Sequence, residues 1–309
     1  MEPISSLEQL KARARALPSR RVAVVRADEE ETLAAIAEAV RDNMIEASLV
    51  GPGGEIRRIS ETIGFDLNGV ELVDAPDDRT SAMLGVELVR RGRAHAIMKG
   101  LVATSSFLHA ILDKETGMRG PGYLSHVAVF EVPSYHKLLI VTDAAMNIAP
   151  DFDQKVQQVR NALVVAHALG IARPKTTYVC AKEVPYDKMP RTMEAARMKE
   201  LALTGAMGDI LFDGPLALDL AVSEVAKKIK KIDSEVAGDA DLLLLPDIEA
   251  ANVLYKSLIF LAGGELAAVI MGAQHPVVLT SRADSAESKL CSIVLSGVVA
   301  SYLAEHGAV

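Results

Sequence analysis

Short apolar runs alternate with longer amphipathic segments along the first half of the chain. The acidic residues at 28–31 are typical of a helix N-terminus, and apolar side chains then recur at helical spacing from Leu33 to Met44. A second helix is predicted over Thr80 to Arg91. The predicted strands of this half are 22–26, 47–50, 70–73 and 95–99.

The same alternation continues through the second half. One apolar stripe runs at helical spacing from Phe152 to Leu163, and another runs from Val225 to Ile232 with a lysine-rich face predicted to lie in solvent. Short strands that alternate with helices predict an α/β fold, in which parallel sheets are covered by helices on both faces. The predicted strands of this half are 127–131, 138–142, 176–180, 209–212, 242–245 and 268–271.

The length of the chain predicts more than one core. At 309 residues it is too long for one ordinary hydrophobic core, so two domains are expected. After Gly51–Gly54, the stretch richest in glycine and proline is the loop from Thr116 to Gly122. We therefore place the predicted break between the domains in that loop.

Charge and hydropathy narrow the classes of function. The net charge of −8 disfavours a general nucleic-acid surface, so an anionic substrate would need a local cluster of cations or helix N-termini. We find no apolar run of the ~18–20 residues that span a bilayer. The N-terminus also lacks the apolar core of a signal peptide. These features predict a cytoplasmic protein with no membrane partner.

The sequence lacks the motifs of several common chemistries. It contains no GxxxxGK[ST] phosphate loop, no GxSxG elbow, no HExxH and no Cys/His cluster. The GPGG at Gly51–Gly54 does not have dinucleotide-loop spacing, and Cys180 and Cys291 are interpreted as small core residues. The remaining class is catalysis by positioning of the substrates and by electrostatic stabilisation of the reacting groups.

The sharpest local signal is the segment Val277–Leu290. An apolar strand is predicted to end at Thr280, and Ser281 is predicted to begin a helix, with Asp284 at capping-box spacing. Arg282 would then lie in the first turn, where a cation is unfavourable unless it meets an external anion. The alternative is an ordinary capped helix with a solvent-exposed arginine.

Polar or basic residues also follow other predicted strands, at the sheet edge where open α/β folds bind ligands. Asp143 and Asn147 follow one strand, and Lys99 ends another, which leads through Thr104 into a helix. Arg119 lies in the Gly/Pro-rich loop, which is expected to swing over an interdomain cleft. The alternative is that these side chains form turns and surface anchors.

Six segments, taken together, closely resemble the phosphate acetyl/butyryltransferase family, nearest its phosphate butyryltransferase branch. The resemblance extends from about Val22 to Ala300. The segments are LSHVAVFEVP (124–133), TDAAMNIAPD (142–151), VAHALGI (165–171), DGPLALDLAVS (213–223), LLPDIEAANVLYKSL (244–258) and SRADSAESKL (281–290).

The resemblance implies a specific architecture. It implies two three-layer αβα domains with mostly parallel sheets and an interdomain active-site cleft, similar to isocitrate and isopropylmalate dehydrogenases. Residues 1–122 and 273–309 would form the first domain, which the C-terminal segment completes. Residues 123–272 would form the second domain, through which the chain would make a homodimer.

The resemblance also implies the reaction: acyl-CoA plus phosphate in equilibrium with acyl phosphate plus CoA. Coenzyme A is then a substrate, and no metal or prosthetic group is bound. Ser281 and Arg282 match the Ser-Arg pair that orients the thiol and binds phosphate or the acyl carbonyl. The aspartate that serves as base in the acetyltransferase branch is replaced by Ser288, so this role cannot be transferred.

Three carboxylates are local candidates for the base: Asp284, Glu287 and Asp143. We assign Ser281, Arg282, Asp284 and Glu287 as catalytic candidates. The candidates for substrate binding are Lys99, Thr104, Arg119, Ser125, Asp143 and Asn147. No serine or cysteine has a histidine at a recognisable spacing, which favours direct thiolate attack in a ternary complex over an acyl-enzyme.

Three other functions stay open. An acyl phosphate synthase that uses acyl carrier protein shares the architecture, but it would need a basic docking patch. A decarboxylating dehydrogenase of similar fold would need carboxylates for a divalent metal, and the pairs Asp239/Asp241 and Asp247/Glu249 are the available ones. A non-catalytic CoA-binding regulator would explain the serine at position 288.

Overall fold

The computed structural model describes residues 2–120, 122–280 and 284–307. These residues form two compact units. The first unit comprises Leu7–Gly122 and residues 267–307, and the second comprises Tyr123–Leu266 and residues 2–6. The domain boundaries that we drew from the sequence stay a prediction.

The first part of the chain alternates between helices and strands, as the apolar pattern predicts. Its elements are α1 (Leu7–Ala16), β1 (Arg21–Val25), α2 (Glu30–Arg41), β2 (Glu46–Gly51), α3 (Gly53–Ile63), β3 (Glu71–Asp74), α4 (Asp78–Arg90), β4 (Ala96–Lys99) and α5 (Thr104–Leu112). The four strands lie within two residues of their predicted bounds. They are short and their central positions are mostly buried, because helices cover the sheet.

The rest of the chain also consists of helices and strands in alternation. Its elements are β5 (Ser125–Glu131), β6 (Leu139–Thr142), α6 (Phe152–Ala168), β7 (Lys175–Val179), α7 (Pro190–Leu203), β8 (Leu211–Leu216), α8 (Leu218–Val222), α9 (Glu224–Lys230), β9 (Leu242–Leu244), α10 (Ile248–Phe260), β10 (Glu265–Met271), β11 (Val277–Val278) and α11 (Ala286–His306). The chain is therefore an α/β protein, as predicted.

The sheet of the first unit has the strand order β3-β2-β1-β4-β11-β10. All its neighbours are parallel except β10 and β11, which are antiparallel. The chain winds from β1 outward to β3, and then returns to place β4 on the other side of β1. The boundary between β1 and β4 is therefore a topological switch point.

The second unit has the strand order β5-β6-β9-β7-β8, in which β5 and β6 are antiparallel and the other neighbours are parallel. Helix α6 packs its apolar stripe on this sheet. Val156, Val159 and Leu163 form a cluster with Tyr178 of β7 and Leu244 of β9, which confirms the predicted stripe.

The prediction that the apolar stripe of the lysine-rich helix packs against the protein is wrong. Val225 and Ile229 of α9 are exposed, and no residue of this helix is buried. The reason is that α9 has only seven residues and is held by ion pairs at its surface. Lys230 contacts Glu183 at 2.6 Å and Asp219 at 3.2 Å.

The two cysteines are placed differently. Cys291 is buried in α11, as predicted, whereas Cys180 is only partly buried and packs against the edge of the α6 cluster. Burial raises the pKa of the Cys180 thiol to about 12. At neutral pH this thiol is therefore protonated and a poor nucleophile.

Helix α11 is the longest apolar element. Among the described residues it is the one helix long and apolar enough to cross a membrane, which differs from our expectation that no segment reaches that size. In its most apolar window, 78% of the helix is buried inside the protein. It packs against α1 and α2 of the same unit, and such burial is typical of a core helix.

Candidate active site

The switch point of the first unit brings together the ends of β1 and β4. Val25 of β1 pairs with Lys99 of β4, so the segments that follow both strands leave the sheet side by side. In open α/β sheets, ligands bind outside the carboxyl ends of the strands at this point. The segment after β11, which is parallel to β4, leaves the sheet at the same edge.

Arg26 joins these strand ends, and the sequence analysis did not identify it. Its backbone is left-handed, with φ of 54°, and its carbonyl accepts a hydrogen bond of 2.8 Å from the N–H of Leu101. A side chain on Gly100 would overlap that carbonyl, so glycine is required there.

The guanidinium of Arg26 binds two aspartates. It donates two hydrogen bonds of 2.8 Å to the buried carboxylate of Asp28, and it also contacts Asp78 at the start of α4. The hydrogen bonds that Arg26 donates to Asp28, with the charges of both carboxylates, raise the pKa of Arg26. Arg26 is thus a structural cation. Its signal in the sequence is a basic residue directly after a strand, but its partners depend on the strand order.

Lys99 and Thr104 lie on the other side of the switch point. Lys99 is half-buried, and its Nζ donates to the carbonyl of Gly100 at 3.1 Å. Thr104 is the exposed first residue of α5, whose N-cap is Ala103 and has no capping side chain. The start of this helix therefore presents N–H groups without a capping side chain of its own, and the Asp78 carboxylate accepts from the Ala103 N–H at 3.3 Å.

Arg119 has an exposed side chain on a fixed backbone. It forms an antiparallel bridge with Ala273, and the neighbouring Met118 carbonyl accepts from Gln274 at 3.0 Å. A side chain on Gly120 would overlap the carbonyl of Gly272. The swing of this loop stays a prediction, and the backbone around Arg119 packs against residues 272–274.

A groove runs between α4 and α5 in the same unit. It consists of two adjoining cavities of about 510 and 550 Å³ that share Met83, Ala110 and Thr116. Arg79 and Asp113 line one of the cavities, with Ser105, Ser106 and His109 as further polar residues. The groove can therefore accept a ligand that has both charged and apolar parts. We did not predict it, because these residues come from two helices.

Asp143 organises the loop that follows β6 in the second unit. It is only 3% exposed. Its carboxylate accepts hydrogen bonds from the N–H groups of Ala145 (3.0 Å), Met146 (3.0 Å) and Asn147 (3.2 Å), and from the Asn147 amide at 2.5 Å. These contacts commit both oxygens to the turn, so Asp143 is a poor candidate for a catalytic base.

The other two polar candidates of the second unit are also engaged. The amide of Asn147 donates to the Leu124 carbonyl at 2.8 Å as well as to Asp143. Ser125 is fully buried, and its hydroxyl accepts a hydrogen bond of 2.8 Å from Asn161. The structure therefore favours structural roles for Ser125, Asn147 and Asp143.

The helix that follows the Ser-Arg pair begins later than predicted. Ser281 and Arg282 lie outside the described residues. Helix α11 begins at Ala286, and Ser285, not Ser281, is its N-cap, with its hydroxyl accepting from the Ser288 N–H at 3.0 Å. Asp284 is partly exposed and precedes the helix, so the prediction that Asp284 lies within the helix is wrong.

The first turn of α11 is anchored on two sides. Glu287 accepts a hydrogen bond of 2.8 Å from Lys11 of α1 and one of 3.4 Å from the thiol of Cys291. The Lys289 side chain is buried and its ammonium contacts Glu31 of α2. These pairs fix the start of the helix directly after residues 281–283, and they make Glu287 less available as a base.

The carboxylates proposed for a metal are bound by lysines or cap a helix. Asp239 contacts Lys137 at 2.8 Å and Lys175 at 2.5 Å, and Lys137 also contacts Asp241 at 2.6 Å. Burial opposes ionisation of Asp239, but the hydrogen bonds from these lysines outweigh it and hold its pKa well below the usual range. Asp247 caps α10 by accepting from the Ala250 N–H at 3.0 Å.

Comparison with known proteins adds independent information. A family model described as "Phosphate acetyl/butaryl transferase" matches residues 77–296. The chain is 42% identical over 297 residues to the phosphate butyryltransferase of Clostridium acetobutylicum, covering 96% of this chain and 99% of that protein. It is 42% identical over 294 residues to the phosphate acetyltransferase of Thermotoga maritima, covering 95% and 99%.

A solved structure agrees with these relatives. The branched-chain phosphotransacylase from Enterococcus faecalis superposes with a TM-score of 0.80 at 32% identity, covering 91% of this chain and 99% of that chain.

The structural role of Asp143 can be tested directly. We expect Asp143→Asn to lower the free energy of unfolding by about 2–3 kcal/mol, because an amide NH₂ would face N–H donors and leave buried groups unsatisfied. Urea denaturation would measure this. Asp153→Asn, an exposed change in the first turn of α6, should cost only about 0.5 kcal/mol. An Asp143→Asn protein of unchanged stability that loses turnover would instead identify Asp143 as the base.

Proposed function

The chain belongs to the phosphate acetyl/butyryltransferase family, and we propose that it transfers a butyryl or acetyl group directly between coenzyme A and phosphate in a ternary complex. It is a phosphate acyltransferase: acyl-CoA and phosphate exchange with acyl phosphate and CoA. The observation that carries this conclusion is the similarity along nearly the whole chain to enzymes of this activity. Butyryl and acetyl are both proposed because relatives of both names are equally identical to this chain.

The chemistry needs activation of a weak nucleophile. A thiol of pKa near 8.5 is only about 3% thiolate at pH 7, so a positioned carboxylate that takes its proton would accelerate attack by about 10² to 10⁴. The sulfur then bonds to the carbonyl carbon of the acyl phosphate, and the carbon–oxygen bond to phosphate breaks with its electron pair on phosphate. Both the oxyanion and the leaving phosphate require preorganised donors.

We assign these donors to Arg282 and to the backbone around Ser281. Lys99, Thr104 and Arg119 supply further positive or hydrogen-bonding groups in the first unit. The groove between α4 and α5 is a candidate site for the phosphates of CoA, because Arg79 and its polar neighbours have the required charge. Coenzyme A is then a substrate and not a tightly bound cofactor.

Several finer features stay predictions. They are the dehydrogenase-like pair of three-layer domains with an interdomain cleft, and the cytoplasmic location. Helices and parallel strands in both units support the layered architecture.

The activity and the role of Arg282 can be tested together. We expect the purified protein to consume butyryl-CoA or acetyl-CoA strictly in the presence of phosphate. Arg282→Ala should lower kcat/KM by at least ~10²-fold, the scale of losing one oxyanion donor, without a change in melting temperature. Arg173→Ala, an exposed change near Asp209, is the control and should leave kcat/KM unchanged.

Other outcomes of this assay would identify the alternatives. Turnover that requires acyl carrier protein would indicate the synthase, and CoA binding without turnover would indicate a regulator. Turnover of a hydroxy acid with a divalent metal would indicate a dehydrogenase. Near-normal activity of Arg282→Ala would indicate that Arg282 is a solvent-exposed residue without a role in the reaction.

Asp284 is the carboxylate that we propose as base, because it is adjacent to residues 281–283 and precedes the anchored helix. Asp284→Asn should keep the fold and KM values but lower kcat, most strongly at low pH, where free thiolate is scarcest. The pH profile of kcat would measure this. Glu287→Gln, which removes a carboxylate bound by Lys11, should have the smaller effect on kcat. The reverse order of effects would assign the base to Glu287.

The second unit carries a surface suited to self-association. In α10, Ala251 and Tyr255 are buried, whereas Val253 and Phe260 are exposed although the helix is strongly apolar. Because exposed apolar helix faces mark interaction sites, we propose that α10 forms the homodimer interface.

Sedimentation equilibrium at micromolar concentration tests this interface. The wild-type protein should have twice the mass of one chain. Val253→Glu should have the mass of one chain, because a buried unpaired charge opposes association. Leu203→Glu, at an exposed apolar position on α7, should remain dimeric. A wild-type protein with the mass of a single chain would contradict the proposal.

A further inference from the structure

The loop between β4 and α5, residues 100–103, is bound to the end of β1. The N–H of Gly100 donates to the carbonyl of Val25 at 2.8 Å, and the N–H of Leu101 donates to the carbonyl of Arg26 at 2.8 Å. Two of our substrate-binding candidates lie directly at the ends of this loop, at positions 99 and 104. Their relative position therefore depends on how the loop is held.

The side chain of Arg26 holds the same loop from a second direction. Its guanidinium contacts one carboxylate oxygen of Asp78, and the other oxygen accepts a hydrogen bond of 3.3 Å from the N–H of Ala103. Ala103 is the N-cap residue of α5 and has no capping side chain. The start of α5 is therefore bound by a carboxylate that Arg26 keeps in place.

A second aspartate fixes the guanidinium itself. The Asp28 side chain is only 6% exposed, and it accepts two hydrogen bonds of 2.8 Å from Arg26. A carboxylate this deeply buried requires a partner, so the pair holds the guanidinium at one place. Arg26 is thus oriented by Asp28 and in turn orients Asp78.

The backbone of Arg26 shows that these contacts are specific. Its φ of 54° lies in the left-handed region, which residues other than glycine rarely adopt and which is enriched at functional sites. Glycine would adopt this conformation without strain, but it would lose both carboxylate contacts. The arginine therefore serves the contacts that its side chain makes.

We propose that Arg26 is a positioning residue for acyl transfer, because it keeps Lys99 and Thr104 in the relative position in which they bind a phosphate group of a substrate. This inference rests on the proposed function, which supplies the anionic substrates. Arg26 also offsets the negative charge of Asp28 and Asp78, which would oppose binding of an anion nearby. Inorganic phosphate and the phosphates of CoA share this chemistry, and kinetics distinguishes them.

The kinetic test is a double-mutant cycle. Lys99→Gln identifies the substrate in question, by whether the KM of phosphate or that of acyl-CoA rises. Arg26→Gln should raise the same KM by about 10-fold, while kcat changes by less than about 3-fold. In the double variant, Arg26→Gln should add less than about 3-fold to the effect of Lys99→Gln, because both changes disrupt one binding arrangement.

The matched control lies at the opposite end of the same strand. Arg21 also binds two carboxylates, Glu46 at 2.6 Å and Glu71 at 3.5 Å. Arg21→Gln should leave both KM values unchanged. If Arg26→Gln does not fold, Asp78→Ala replaces it, because this change removes the link to the start of α5 and keeps the buried pair. It should raise the same KM by at least about 3-fold.

Hydrogen exchange gives a measurement that does not depend on turnover. Arg26→Gln should speed exchange of the amides in residues 100–104, and Arg21→Gln should not. Unchanged KM values in a folded Arg26→Gln protein would overturn the inference, even with faster exchange, and would leave Arg26 a structural role only. Equal effects of the two arginine changes on KM, or normal KM values in Lys99→Gln, would also overturn it. A wild-type protein without phosphate-dependent acyl transfer would contradict the proposed function instead, before any variant is made.

Discussion

The candidate site of the first unit depends on the close approach of the strand ends at the switch point. The Arg26 carbonyl and the N–H of Leu101 can bond only because Gly100 has no side chain. The Arg26 guanidinium then holds Asp78, whose other oxygen accepts from the N–H of Ala103 at 3.3 Å. The start of α5, with Thr104, is therefore placed by Arg26. Since Asp28 is also buried, loss of the guanidinium would leave unpaired charge in the sheet edge.

In the second unit, a buried carboxylate holds the loop at the end of the strand, where the first unit uses a guanidinium. The buried Asp143 carboxylate gathers backbone N–H groups into a turn, and Asn147 connects that turn to Leu124. In both units, charged residues directly after a strand serve mainly to hold the loops. Beside the Arg26 contacts, the N-terminus of α5 has no capping side chain from its own N-cap residue, Ala103. A polar residue at a strand end is thus weak grounds for a catalytic role unless its partners are known.

The sequence predicted the elements well because short-range periodicity determines them. β6 and β9 lie within one residue of their predicted bounds, and the buried stripe of α6 was correct. The start of α11 was wrong because Ser281 and Ser285 are both plausible caps, and the choice depends on how the preceding loop leaves the sheet. The role of Arg26 could not be predicted, since Asp78 is distant in sequence and becomes a neighbour only through strand order. Val225 was misassigned because periodicity does not show whether a short helix has anything to pack against.

The contacts at the start of α11 concern the choice of catalytic base, because position 288 is a serine and not an aspartate. Lys289 pairs with Glu31 of α2, and Glu287 in the first turn pairs with Lys11 of α1. Ser288 is buried, and its N–H is committed to the Ser285 hydroxyl. An aspartate side chain at that position would be buried, and its carboxylate would lose hydration unless another group paired with it. With serine at position 288 in this chain, a carboxylate base must come from another residue, and Asp284, directly before the cap Ser285, is the one that we propose.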